Sequence, residues 1–169
     1  MLPKNIEIRQ TDILYDNSFT RKRRKFTGKP NPMTTAFLYD FMRKHHLATV
    51  ATVDENNRPE SALVGIAVTP SLEIIFDTSA NSRKAINLTH NAAIALVIGW
   101  DNEQTLQYEG TATQLAIADS ADLLEIYFAA FPDGRERLQN MQDITYFLIK
   151  PTWVRYSDFH NFEIHEQHF

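Results

Sequence analysis

Cysteine is absent from the 169-residue chain, which excludes disulfides, thiolate nucleophiles and thiolate-bound zinc or iron-sulfur centres together. Long apolar runs are missing as well: none approaches the roughly 20 residues that a membrane-spanning helix needs. The opening residues MLPKNIEIRQ also lack the basic-then-apolar order of a secretory signal. These absences set the expectation of a cytoplasmic protein with no membrane partner. Excess charge is missing too, since 17 Lys and Arg against 21 Asp and Glu leave a net charge of -4. Such a field draws neither nucleic acid nor an anionic membrane, so any anionic ligand must be held by local charge.

What is present is a 43% hydrophobic chain of single-domain size. Residues 1–33 read as an N-terminal arm or linker, ending in TRKRRKFTGKPNPM, whose glycine and prolines oppose regular structure. The five basic residues from Arg21 to Lys25 could contact nucleic-acid phosphates. No aromatic interleaving or recognition motif accompanies them, so a solvated arm is expected. Residues 34–169 read as one domain. Its first element is a short helix capped by Thr34 or Thr35, with Ala36, Phe37, Leu38, Phe41 and Met42 at helical spacing and Arg43, Lys44, His45 and His46 in its last turn.

Strands follow at residues 47–53, 60–69, 72–78, 92–100 and 105–115, bounded by turn-forming segments such as DENNRP and DNEQ. Residues 119–131 read as an amphipathic helix ended by Pro132, Asp133 and Gly134. A weaker helix RERLQNMQ and a sixth strand at 144–157, interrupted at Pro151, complete the pattern. Short connections favour a closed or partly closed barrel. The expected fold is mainly β with peripheral helices, because a doubly wound sheet would need helices between most strands.

The segment FDTSANSRKAINLTHN, residues 76–91, has the chemistry of a phosphate grip. A strand end offers the hydroxyls of Thr78, Ser79 and Ser82, and the following helix start offers free N–H groups at its positive end. Arg83 can bind phosphate oxygens through two donors and Lys84 adds a point charge. A solvated basic helix start with Ser79 or Ser82 as its cap accounts for the same residues.

The succession LATVATVDENNRP, ESALVGIAV, FDTSANSRKAINLTHNAAIALVIGW and LQYEGTATQL resembles the FMN-binding split-barrel family related to pyridoxamine 5'-phosphate oxidase. The resemblance extends over residues 34–157, and its strongest element is SRKAINLTHN followed by an apolar strand and a strand carrying EGTA. It implies a split β-barrel of about six strands that binds FMN. Arg83 and Lys84 would hold the phosphate with Thr78 and Ser79, and Asp77 and Ser82 of the same segment would line the site. Ala62, Leu63 and Val64 on the second strand would lie along the isoalloxazine ring, and Gln107 would bond the flavin. A homodimer with the flavins at the subunit interface is implied, with Trp153 and Arg155 of IKPTWVRYSD approaching the flavin of the other subunit.

The departures from the true oxidases bear on function. Where those enzymes direct an arginine and a lysine from the second strand to the cofactor, this chain has Ala62 and Ala67. Their arginine-rich substrate segment has no counterpart in HNFEIHEQHF, which argues against oxidation of pyridoxamine phosphate. The resemblance therefore implies an FMN-dependent oxidoreductase passing electrons or hydride between a reductant and a small substrate. A non-catalytic flavin carrier or sensor and a deazaflavin-dependent reductase remain open, as does a basic-armed interaction module. Arg83 and Lys84 favour a phosphate-bearing ligand over haem. No side chain is nominated as a general acid or base. The HEQH of the C-terminal segment is one residue short of a zinc-protease motif, so an exposed tail is expected there. Trp100 is expected to close the core.

Overall fold

The computed structural model describes residues 34–169; the expected arm, residues 1–33 with its basic run, lies outside them. Helix α1 (Thr35–Met42) starts where the Thr34 hydroxyl accepts the Phe37 N–H at 3.2 Å, and it buries Leu38, Phe41 and Met42. It ends at Met42, so His45 and His46 follow the helix instead of forming its last turn. Strands β1 (Leu47–Val53) and β2 (Pro59–Gly65) pair antiparallel. Their turn is built on Asp54, whose carboxylate accepts the N–H groups of Asn56 and Arg58 at 2.9 Å each.

The expected 60–69 strand breaks at Ile66, whose N–H leaves the ladder to bond the His46 carbonyl at 2.9 Å. Beyond the break, β3 (Ala67–Val68) pairs with β4 (Ile74–Ser79). The turn between them puts Leu72 at φ 65, so β4 begins two residues later than expected. Helix α2 (Arg83–His90) crosses to β5 (Ala93–Ile98), which leads to β6 (Gln104–Gln114). Helices α3 (Ala121–Ala130) and α4 (Gly134–Asn140) precede the long β7 (Ile144–Asp158), and β8 (Glu163–His168) ends the chain.

All strands join one antiparallel sheet in the order β2-β1-β5-β6-β7-β4-β3, with β8 also on β7. The two ends of this order, β2 and β3, are separated in sequence by Ile66 alone, so the sheet must curl until its ends meet. Strand β7 is the split element: residues 144–149 pair with β4 and residues 153–158 with β8. Thr152 is the extra residue of a bulge there, because Glu109 pairs with Trp153 and Gly110 with Pro151. The bulge absorbs Pro151, so β7 continues through the expected interruption.

The curled sheet encloses Val50, Ile66, Leu72, Ile74, Phe76, Ile98, Leu106 and Ile149, with α1 plugging one end through Leu38 and Met42. Each fully buried large aliphatic side chain contributes roughly 1.5–3 kcal/mol. A second cluster, Leu124, Tyr127, Phe128, Tyr146 and Leu148, fastens α3 outside β4 and β7. Two expectations are corrected. The sheet has eight strands instead of about six, because the second expected strand divides at Ile66 and the expected tail forms β8. Asp158 sets up that last pairing by accepting the Asn161 N–H at 2.8 Å and the Gln104 amide at 2.9 Å. Trp100 is 53% exposed and does not close the core, which α1 already plugs. No helix among the described residues is long and apolar enough to cross a membrane.

Candidate functional site

Helix α2 is positioned by its own sequence. The Ser82 hydroxyl accepts the Ala85 N–H at 3.3 Å and lies 3.0 Å from the Thr78 hydroxyl, so the strand end and the helix cap are tied together. Ala85, Asn87 and Leu88 form the buried face of α2, which rests on β1. The first-turn N–H groups of Arg83 and Lys84 have no partners within the helix, as at any helix start. Of the two expected caps, Ser82 takes the role. The Ser79 hydroxyl instead donates to Asp143 Oδ2 and accepts the Asn81 N–H at 3.1 Å.

A cavity of about 230 Å³ opens in front of this helix start, lined by Val50, Thr52, Glu60, Ser61, Ala62, Ser82, Arg83 and Lys84. Four expected site residues, Ala62, Ser82, Arg83 and Lys84, meet here. So does one that sequence reasoning missed. Glu60 accepts from Arg83 Nη1 at 2.8 Å with one carboxylate oxygen and from Asn87 Nδ2 at 2.9 Å with the other. The Asn87 amide also reaches the Thr52 hydroxyl at 3.0 Å, and both of those residues are buried. Strand and helix geometry explain the meeting: Glu60 shares the inward parity of Ala62 and Val64 on β2, and Asn87 lies four residues after Arg83 on one helix face.

A second cavity, about 360 Å³, lies on the outward face of the β1–β2 pair and touches the first through Ser61. Thr49, Ala51, Ala95, Val97, Gln107, Glu109 and Trp153 are among its lining residues. Strand register explains the grouping. One row across the sheet runs Leu63, Thr49, Val97, Gln107, Arg155 and Glu166, each directly opposite the next. The adjacent row runs Ser61, Ala51, Ala95, Glu109 and Trp153. Gln107, Trp153 and Arg155 are therefore neighbours on one face. Arg155 turns toward β8, with its buried Nε 3.6 Å from Glu166 Oε1 and without a hydrogen bond.

The remaining expected residues are placed elsewhere. Leu63 is 59% exposed on the outward face, and Val64 is buried in the barrel core. Asp77 faces α4 and is held by Arg137. Strand β2 ends the sheet order and pairs only with β1 among the described strands, which leaves one backbone edge open beside Ser61 and Ala62. His165 and His168 on β8 are three residues apart, so they project to opposite faces of the strand and share no ligand position.

The donor set fits a phosphorylated, planar ligand. Cationic and hydroxyl groups gather at a helix start, an open strand edge adjoins them, and an apolar shelf with one amide and one indole lies beyond. Tyr108 is not part of that donor set: its hydroxyl lies 3.0 Å and 3.1 Å from the carbonyls of Leu72 and Ile149 inside the barrel, and burial pushes its pKa up.

A family model described as "Pyridoxamine 5'-phosphate oxidase" matches residues 34–158. Among curated relatives, a pyridoxine/pyridoxamine 5'-phosphate oxidase of Baumannia cicadellinicola is 38% identical over 74 residues, which is 43% of this chain and 34% of that protein. The chain thus spans about a third of that relative's length. Among solved structures, a heme binding protein from Mycobacterium smegmatis aligns with TM-score 0.69 and 13% identity over 80% of this chain and 58% of that one. A pyridoxamine 5'-phosphate oxidase-related, FMN binding protein from Nostoc punctiforme aligns with TM-score 0.55 and 14% identity over 73% of this chain and 87% of that one. At such identities the two structures establish a shared fold.

Proposed function

Because this chain belongs to the pyridoxamine 5'-phosphate oxidase family, we propose that it is an FMN-binding oxidoreductase acting on a small substrate other than pyridoxamine phosphate. The observation that carries this reading is the convergence of Ser82, Arg83 and Lys84 on one cavity that meets, at Ser61, the shelf holding Gln107 and Trp153. Arg83, Lys84 and the helix start would hold the phosphate. The open edge of β2 would offer N–H and C=O groups to the ring's polar rim, and Gln107 would donate or accept one further bond. When bound, FMN supplies two-electron redox chemistry, and the protein's task is to orient it and limit solvent access.

Binding of haem by a relative of the same fold is said of that protein. Among the described residues neither cavity is lined by histidine or methionine, whereas both phosphate-directed cations are present, which favours the flavin. We further propose a homodimer in which a second copy covers the outward face, where Leu63 and Val97 are exposed.

The decisive experiment is a visible absorption spectrum of the purified protein before and after FMN addition and desalting. A retained flavin band with reduction by a nicotinamide donor supports the reading. A retained band with no turnover on any donor or acceptor identifies a carrier, and a colourless protein that refuses FMN overturns the assignment.

A further inference from the structure

Glu60 places a negative charge inside a cavity otherwise lined by two cations, three hydroxyls and small apolar side chains. Its mount is rigid and its partner is not. One carboxylate oxygen is held by the buried Asn87 at 2.9 Å, and Asn87 is itself anchored on buried Thr52 at 3.0 Å. The other oxygen meets Arg83 Nη1 at 2.8 Å, yet the Arg83 side chain is 77% exposed against 18% for Glu60. Arg83 is thus free to swing to another acceptor while the carboxylate stays in the cavity wall.

We propose that Glu60 sets the affinity and charge selectivity of this cavity: a phosphate oxygen gains Arg83 only in exchange for the Glu60 carboxylate, which then remains beside the bound anion. The inference rests on reading this cavity as the phosphate end of the flavin site. Two positive side chains less one negative leave a single net positive charge facing a phosphate monoester that carries about -1.5 to -2. Like charges in proximity disfavour the more highly charged ligand, so Glu60 weakens retention of the phosphate and leaves ring contacts on the far side of Ser61 untouched. On β2, Glu60 shares the face of Ala62 two residues on and is followed in the chain by Ser61, where the two cavities meet.

The test is calorimetric titration of the full chain at pH 7 with inorganic phosphate, FMN and riboflavin, for the wild type, Glu60→Gln and Glu60→Ala. The glutamine keeps an acceptor for Asn87, and the alanine serves if that variant does not fold. The expected result is phosphate and FMN binding about five- to tenfold tighter in the variants, with riboflavin unchanged. Equal or weaker phosphate binding in the variants overturns the inference, because Glu60 would then orient Arg83 instead of competing for it. An equal gain for riboflavin, or no phosphate binding by any of the three proteins, overturns it too. Tighter phosphate binding without any flavin binding upholds the exchange at an anion site and removes the flavin reading, so the two failures are distinguishable.

Discussion

Arg137 on α4 clasps Asp77 on β4, with Nη2 and Nε at 3.0 Å and 3.1 Å from the same carboxylate oxygen. Arg137 Nη2 also lies 3.2 Å from the Tyr127 hydroxyl, so one guanidinium joins β4, α3 and α4. Burial works against its charge, and the Asp77 carboxylate outweighs that and holds it protonated. Asp77 is thus a structural anchor on the α4 side of β4, although its place in the strand before the basic helix suggested a cofactor contact. Arg137→Ala is expected to lower stability by about 2 kcal/mol, since it strands a partly buried carboxylate. FMN affinity should stay within error. A denaturant midpoint equal to the wild type's would refute the anchoring role.

Gly110 faces the β7 bulge where no side chain fits. A Cβ there would lie 2.4 Å from the Lys150 carbonyl oxygen and 2.8 Å from Ile149 Cγ2. The first of these is rigid backbone, so the strands would have to part. Gly110→Ala is expected to cost about 3 kcal/mol, read as a lowered Tm in calorimetry. Retention of the wild-type Tm would mean that the bulge is looser than its geometry implies.

Most of the barrel was legible because its strands alternate or run apolar between strong turn signals, as in residues 47–53 and the DENNRP turn after them. What escaped was set by tertiary contacts. Ile66 breaks an apolar run because His46, twenty residues earlier, captures its N–H. The polar segment EIHEQH carries no strand signature, and it pairs because Asp158 shapes the preceding turn and β7 offers an open edge. The α2 end of the site was readable from Ser82, Arg83 and Lys84. Glu60 was not singled out, because a lone glutamate near a strand start has no signature until the sheet carries it to α2.

Asp158 gives stability a dependence on acid. Burial raises its pKa, but bonds from the Asn161 N–H, the Gln104 amide and the Asn161 amide outweigh this and hold it below the ordinary aspartate value of about 3.9. With the folded pKa below the unfolded one, the stabilisation is fully present above pH of about 4 and is lost as pH falls through the folded value. Asp158→Asn should be less stable than the wild type at pH 7, and the gap should narrow as pH falls below the ordinary aspartate value. Parallel stability curves for the two proteins across that range would sink this account.

Arg83→Ala with Lys84→Ala should weaken FMN binding by about 2 kcal/mol, roughly 30-fold. The figure is kept below the sum of two charge-assisted bonds because Arg83 is mostly exposed. Riboflavin, which lacks the phosphate, should bind the double variant and the wild type alike. Equal losses for both flavins in fluorescence-quenching titrations would place the effect on the ring or on folding and remove the phosphate assignment.

The outward sheet face carries the last prediction. Leu63 and Val97 flank Thr49 in one cross-strand row and are 59% and 38% exposed, and Ala51 and Ala95 sit in the adjacent row beside them. Small and apolar side chains packed this closely on a twisted sheet form a surface that water wets poorly, and a second copy would cover it by the same residues through a two-fold axis. Leu63→Asp with Val97→Asp brings like charges together across that axis without touching the barrel interior. Sedimentation velocity should show a wild-type dimer and a variant monomer. A monomeric wild type, or a variant that remains dimeric, would move the interface elsewhere and leave the flavin site to be completed within one chain.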